Sequence, residues 1–450
     1  MRLRTTTRGR WCGAEPVCGG RLAAILVRMP RLRLALLAMV CALASAAQQT
    51  IPKEEYRARR AELRQAVSDG VVVLFGQKAR ENDHSRSGSS QEPNFYYLTG
   101  WEEPGAILVI AGPATEILFL PPHDPKVERY TGRKTSAEDE EARAVTGFEQ
   151  VLPAGKFETQ LSKLLESSPK VYTRNGRTNA ARLKELLPLR EVLDAGGAVA
   201  GLRMKKSARE IELIQRAVEV TIQAHQAAWK RIAPGLFEYQ IAATMTAAIL
   251  EAGCQRNAYS PIVGAGPNAL VLHYEKNSRR MDKGELLLMD VGGECSAYAA
   301  DITRTAPVSG KFTARQRELY NVVLGAQKAL IAAIKPGILP GKDKTTPNSL
   351  YKLACDYIDS HGRDRQGNSL GQYLTHGVGH HVGLEVHDPG APERPLEAGM
   401  VITVEPGIYI PEEGLGIRIE DMVLVTENGA RVLSAALPRE AEQIEKAMAR

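Results

Sequence analysis

From Ile51 onward the chain alternates short apolar runs with longer segments whose apolar positions recur every three or four residues. "IPKEEYRARRAELRQAVSDG" is rich in Ala, Leu, Arg and Glu and predicts a helix closed by Gly70 as its C-cap. "VVVLFG" follows as a buried strand, and "ENDHSRSGSSQEPN" as a polar loop. "FYYLTGW", "AILVIAG" and "EILFLPP" read as strands, and "TSAEDEEARAVTG" as a helix with a charged face. This alternation, continuing to about Leu193, predicts an α/β domain over residues 50–197.

A second pattern occupies residues 200–440. Ser207 and Glu210 form an S-x-x-E capping box, so a helix start is well marked, and Ile211, Ile214, Val218 and Ile222 fall on one face. A further helix runs from about Glu238 to Ala252 and stops at Gly253. Helices are also expected over Ala314–Ile334 and Asn348–His361. Between and after them come strands in "ELLLMDVG", "AYAADITRTAPV", "MVITVEPGIYI" and "GIRIEDMVLVTE". This half is mixed α+β.

The first 48 residues differ in kind. They hold eight arginines and one glutamate, so removing them changes 58 basic and 52 acidic residues to 50 and 51. The net charge of +6 thus belongs to the leader, and no nucleic-acid partner is implied. Within it, Arg31 and Arg33 precede the apolar run Leu34–Ala44, followed by Ala44-Ser45-Ala46 as an A-x-A cleavage site. That is the layout of a secretory signal peptide starting at Met29, within a leader spanning residues 1–47. An N-terminal membrane anchor is the competing reading; the apolar run is too short to span a bilayer stably. The expectation is an exported protein, periplasmic or secreted. Cys254, Cys295 and Cys355 are odd in number and widely spaced, which predicts buried free thiols.

The chemistry is carried by acids at strand ends. Asp290 ends "ELLLMD" and Asp301 lies eleven residues on, with Gly292-Gly293 expected to make the turn between them. Glu405 ends "VITVE" and Glu420 lies fifteen residues later in "IRIED". Between the two pairs sits "HGVGHHVGLEVHD", which holds four of the nine histidines. Four clustered carboxylates repel one another strongly. Two divalent cations would balance them, with one imidazole completing a dinuclear site. An oxygen-rich set with one imidazole suits Mn²⁺, with Zn²⁺, Co²⁺ or Fe²⁺ as alternatives. The H-x-x-x-H spacing is not that of a zinc-protease helix, because Gly377, Val378 and Gly379 disfavour a helix there. Gly377, Gly379 and Gly383 suggest extended backbone packed closely around a substrate.

"MDVGGECSAYAADITRT", "HGVGHHVGLEVHD", "VITVEPGIYI" and "GIRIEDMVLVTENG" together resemble the aminopeptidase P and prolidase family of metallopeptidases, whose catalytic domain has the pita-bread fold. "LRMKKSAREIELIQRA", "PIVGAGPNALVLHY" and "QEPNFYYLTGWEEPGAILVI" extend the resemblance over about Ile51 to Leu437. It implies Asp290, Asp301, His380, Glu405 and Glu420 as metal ligands, Asp301 and Glu420 bridging two ions. It further implies that His273 faces the substrate, that His376 and His387 orient substrate or stabilise charge, and that Arg418 braces the site. Glu405 would also pass a proton from the nucleophile to the leaving nitrogen. His381 follows His380 and should point to the opposite face, away from the chemistry. Glu294 and Glu385 match no ligand position, and His84, His123, His225 and His361 carry no assignment.

The implied activity is release of an N-terminal residue that precedes proline, from peptides with proline in second position. A prolidase restricted to Xaa-Pro dipeptides is the alternative. A metal-free binding module on the same fold is a third reading, disfavoured because all five ligand positions are filled. Family members are commonly dimers or tetramers, so a homo-oligomer is expected.

Overall fold

The computed structural model describes residues 50–78, 91–166, 168, 170–174 and 177–449. The leader with its cleavage site, and His84, lie outside the described residues. Among the described residues the α/β half holds six strands: β1 (Gly70–Phe75), β2 (Ile107–Ala111), β3 (Thr115–Leu120), β4 (Gln150–Pro153), β5 (Lys170–Thr173) and β6 (Val192–Asp194). They form one mixed sheet in the order β4-β3-β2-β1-β5-β6, with β1 antiparallel to β2 and parallel to β5. The uninterrupted apolar run of β1 is explained by cover on both faces. Val71, Val73 and Phe75 pack with Phe119 and Phe157 on one side. Val72 and Leu74 join Leu63, Phe95 and Leu108 in a core that continues to Leu213 and Ile214 of the second half.

Three local expectations are corrected here. The first helix ends at Ala66, and Gly70 instead opens β1, where a Cβ would lie 2.6 Å from the Tyr172 ring on the adjacent strand. "FYYLTGW" is not a strand: Pro93–Thr99 is helical, with the Glu92 side chain accepting from Phe95 N and Gly100 closing the turn at φ 64°. Its aromatics favour strands, but the cap residues on both sides decide for a short helix. Of "TSAEDEEARAVTG", only Ala142–Thr146 is α-helical.

The second half carries β7 (Arg256–Asn257), β8 (Ile262–Ala265), β9 (Leu286–Asp290), β10 (Gly293–Cys295), β11 (Tyr298–Ala299), β12 (Thr303–Pro307), β13 (Val401–Val404), β14 (Gly407–Ile410), β15 (Leu415–Arg418), β16 (Asp421–Thr426) and β17 (Gly429–Val432). They assemble as β12-β9-β8, β11-β10-β7, β13-β16-β17 and the hairpin β14-β15. The helices Ala208–Arg231 and Glu238–Glu251 pack on each other, as do Ala314–Ala333 and Leu350–His361. This is the α+β pita-bread arrangement behind an α/β domain. The Ser207–Glu210 capping box forms, with Ser207 Oγ accepting from Glu210 N at 3.1 Å and Glu210 Oε2 accepting from Ser207 N at 3.0 Å. Ile214, Val218 and Ile222 are buried. Among the described residues no helix is long and apolar enough to cross a membrane.

The chain between Asp290 and Asp301 reverses at Ser296 and Ala297, with φ 51° and 66°, not at Gly292-Gly293. Gly292 instead permits a close approach. A Cβ there would lie 1.7 Å from the Ala300 carbonyl oxygen, so only glycine allows the two strands to come this near. The cysteine expectation is also corrected. Cys254 and Cys295 form a disulfide, and of the three described cysteines Cys355 is the buried free thiol. Their 41-residue separation hid the pairing. Pairing of β7 with β10, Arg256 opposite Glu294, brings the two Cα atoms to 4.4 Å.

Candidate metal centre

Each acid stands where a ladder stops. Asp290 is the last residue of β9, Asp301 lies two before β12, Glu405 follows β13 and Glu420 sits between β15 and β16. Asp290 is paired with Thr303 across the antiparallel β9–β12 ladder, and Glu420 N donates to the Thr303 carbonyl at 3.1 Å. The histidine segment runs beside β13: Thr403 N donates to His380 O at 2.8 Å and Val382 N to Val401 O at 3.0 Å. That extended pairing turns His380 toward the acids and His381 behind them. A pocket of about 380 Å³ is lined by Asp290, Asp301, His380, Glu405 and Glu420, and also by His273, His376, His387 and Arg418. All nine residues singled out in the sequence therefore line one pocket.

One ligand atom each of Asp301, His380 and Glu420 lie within 4.8 Å of one another. His380 Nδ1 faces the His381 carbonyl at 3.1 Å, which leaves Nε2 for Asp301 Oδ2 at 3.3 Å and Glu405 Oε1 at 3.5 Å. The hydroxyl of Tyr259, which sequence reading missed, sits 2.5 Å from Asp290 Oδ1 and 2.6 Å from Asp301 Oδ1. It carries one proton and satisfies one of those two oxygens. Arg418 pairs with Asp290 Oδ2 and donates to the Tyr409 hydroxyl at 2.8 Å. Tyr409 in turn meets His376 Nε2 at 2.8 Å, while His376 Nδ1 lies 2.6 Å from the Gly377 carbonyl. The second contact makes Nδ1 the protonated nitrogen and Nε2 the acceptor.

The charges do not balance among these groups. Burial, then Asp301, pushes Asp290 up to about 6 against the pull of Arg418. Burial, reinforced by Asp301 and Asp290, takes Glu405 up to about 7 although His380 and Arg418 oppose it. Glu420 is driven well above the carboxylate range by burial and its three acidic neighbours. Burial disfavours the charged form of His380, but Asp301 and Glu405 outweigh it and hold the imidazole at about 9. Burial and Arg418 bring His376 down to about 4, so it stays a neutral acceptor. Four carboxylates facing one guanidinium and one imidazole, with a single hydroxyl proton for two oxygens, form a donor set that fits divalent cations.

His273 and His387 are exposed at this pocket, the His387 ring 4.0 Å from that of His380. His381 is buried on the far side, and burial lowers its pKa to about 4. Gly377 and Gly379 line the pocket, and Gly379 and Gly383 also pack tightly against the protein's own groups. Their added Cβ atoms would lie 2.2 Å from the Thr403 carbonyl and 2.5 Å from the Asp388 carboxylate. Glu294 pairs with Arg256 and Glu385 with Arg203. His225 is buried against the Ile302 carbonyl, His123 is bonded to Glu128 and Asp139, and His361 stacks on Tyr357. Strand alternation carried an unused signal for two partners: Thr303 shares a face with Asp301, and Thr403 with Glu405. Their hydroxyls donate to Glu420 at 2.6 Å and to Glu405 at 3.2 Å. Tyr259 had no local signal.

Comparison with known proteins identifies the family. The profile of metallopeptidase family M24 matches residues 212–427, and that of the aminopeptidase P N-terminal domain matches residues 56–172. The Xaa-Pro aminopeptidase of Haemophilus influenzae is 36% identical over 428 residues, covering 88% of this chain and 98% of that protein. Among solved structures, Pseudomonas aeruginosa aminopeptidase PepP superposes with a TM-score of 0.80 at 30% identity, covering 89% of this chain and 99% of that one. Aminopeptidase P from E. coli with the inhibitor Pro-Leu gives 0.78 at 31%, covering 89% and 98%. The chain belongs to metallopeptidase family M24, with an aminopeptidase P N-terminal domain ahead of its catalytic domain.

Proposed function

We propose that this metallopeptidase is a Xaa-Pro aminopeptidase and that Asp290, Asp301, His380, Glu405 and Glu420 hold two divalent cations, Mn²⁺ first among them. The observation that carries this is the convergence of four under-compensated carboxylates and one imidazole on a single pocket, in a chain that matches two bacterial Xaa-Pro aminopeptidases over 98% of their length. When bound, such ions supply Lewis acidity toward a carbonyl and acidify a water to near neutral pH. The protein's own groups supply the rest. Glu405, a carboxylate lining the pocket, moves a proton to the proline nitrogen as the bond breaks. His387, exposed at the pocket, donates to the carbonyl oxygen as charge builds there. Arg418, through Asp290 and Tyr409, holds the acid side and the His376 side in one register.

A cleft of about 540 Å³ adjoins the pocket across Val386, which lines both. That room beyond the site favours longer peptides over dipeptides. Hydrolysis of Gly-Pro-peptides with release of glycine, and one to two equivalents of metal per chain, is the expected result. Cleavage of Gly-Pro alone would make the protein a prolidase, and no cleavage with no bound metal would make it a binding module.

We also infer that the chain is exported through the Met29 signal. The Cys254–Cys295 disulfide supports this, since such bonds persist in oxidising compartments. Cell fractionation and N-terminal sequencing test it. The family resemblance supports a homo-oligomer, which light scattering tests.

A further inference from the structure

Glu238 opens the Glu238–Glu251 helix. An acid at that position usually reaches toward solvent and favours the helix through its dipole. Glu238 instead is wholly buried, with 0% of its surface exposed. A buried carboxylate needs several donors to hold its charge. It has them, and all come from one other segment. Oε1 accepts from Ala265 N at 2.7 Å and from Asn268 Nδ2 at 2.9 Å. Oε2 accepts from the Tyr274 hydroxyl at 2.9 Å and from Arg279 N at 2.8 Å. The backbone adds one bond more, Glu238 N to Arg279 O at 3.0 Å.

These anchors bracket the wall of the pocket. After the short turn Gly266–Leu270, residues 271–279 contain no helix or strand, yet Leu272, His273 and Glu275 line the pocket. A stretch without a hydrogen-bonded ladder holds its shape through its side chains. Tyr274 is drawn onto Glu238, while its neighbour His273 stands exposed at the pocket. Tyr274 also accepts from Ser278 N at 3.2 Å, which closes the loop on itself. One carboxylate is the common acceptor for both ends and the middle of the segment.

We propose that Glu238 is a positioning residue for the substrate: it fixes the 265–279 segment so that His273 and Leu272 present a preformed wall to the peptide. This rests on the aminopeptidase reading above. Glu238 is not among the residues that line the pocket, and the five proposed ligands stand on other segments of the chain. Its loss acts on substrate binding rather than on the metals.

The test uses the full chain loaded with Mn²⁺. Glu238→Gln keeps the size but turns an amide NH₂ toward backbone and hydroxyl donors. The expected outcome is unchanged metal per chain and a fall of about 10- to 100-fold in kcat/KM on a Xaa-Pro peptide, carried mainly by KM. In the Glu238→Gln protein, His273→Ala should cost less than about a third of what it costs in the wild type, because the wall is already displaced. Hydrogen exchange should quicken in residues 265–279 before elsewhere. Tyr274→Phe removes a single donor and tests the same coupling should Glu238→Gln fail to fold. Additive losses in the cycle, wild-type KM in both variants, or loss of metal would overturn the proposal. Wild-type protein that binds Mn²⁺ but cleaves no Xaa-Pro peptide would overturn the aminopeptidase reading instead. The exchange measurement would still decide whether Glu238 holds the wall.

Discussion

Glu420 and Asp421 are adjacent in the chain and both are buried, at 1% and 0% exposure, yet their surroundings are opposite. Asp421 accepts from Arg304 at 2.8 Å, Ser434 at 2.5 Å, Gln327 at 2.9 Å and Arg439 at 3.3 Å. Glu420 accepts from the Thr303 hydroxyl and faces Asp290, Asp301 and Glu405. The same contrast separates the pocket from Asp388, one residue after His387. Burial alone would raise Asp388, but Lys206 and Arg203 outweigh it and hold it below the usual range. Burial is therefore not what marks a site. A carboxylate that the fold equips with cations is structural. One that the fold buries beside other acids is kept for cations from outside.

That contrast can be broken in several ways. The largest effect should come from Glu420→Gln. Activity should fall by about 10⁴-fold, since several kcal/mol of charge stabilisation depend on the ligand set and each 1.4 kcal/mol is tenfold. Stability in chelator should stay level or rise, because a carboxyl that burial and its acidic neighbours make costly to ionise has gone. A stability loss like that of a core mutation would remove the distinction between the two acids. Arg304→Met should do the reverse, costing about 3–5 kcal/mol in urea unfolding by leaving Asp421 short of charge. An unchanged midpoint would show that Arg439 alone suffices.

Adding Mn²⁺ to chelator-treated protein at about 100 times its Kd should add about 2.7 kcal/mol of stability, and Glu420→Gln should lose most of that gain. No shift on adding metal would refute the donor set. The pH dependence gives a subtler check. With Asp290 at about 6 and Glu405 at about 7 in the fold, the native state holds protons that the unfolded chain sheds near pH 4. In chelator, their part of the stability is fully present below about pH 4 and is lost as pH rises through about 6 to 7. Asp388 has the opposite sign, its stabilisation present above the ordinary aspartate range and lost in acid. The smallest effect belongs to His381→Phe. Its Nδ1 has no hydrogen-bond partner among the described residues and its ring is held neutral by burial, so activity should change less than about threefold and stability by less than about 1 kcal/mol. A large loss of activity would move His381 into the chemistry.

Much of the fold was legible because its signals are local. The capping box at Ser207, the both-faces-apolar run of β1 and the opposed faces of His380 and His381 all follow from backbone periods and caps. Failures came where two local signals conflicted or a partner lay far away. The aromatic content of "FYYLTGW" pointed to a strand while Glu92 and Gly100 enforced a helix. Cys254 gave no sign of Cys295, because only the β7–β10 pairing makes them neighbours. Tyr259 and Glu238 read as ordinary residues, since what distinguishes them is the set of groups around them.

The sequence by itself determined which donors are present, four acids at strand ends and an imidazole in a glycine-rich segment, and hence the class of chemistry. The tertiary structure decided which buried charges are satisfied by the protein and which are not. Asp301 meets Glu420 across 119 residues of chain, and Asp421 meets Arg304 across 117. Side-chain type and strand period are set within a few residues. The electrostatic balance of a buried group depends on every charge within a few ångströms, and only folding brings those together.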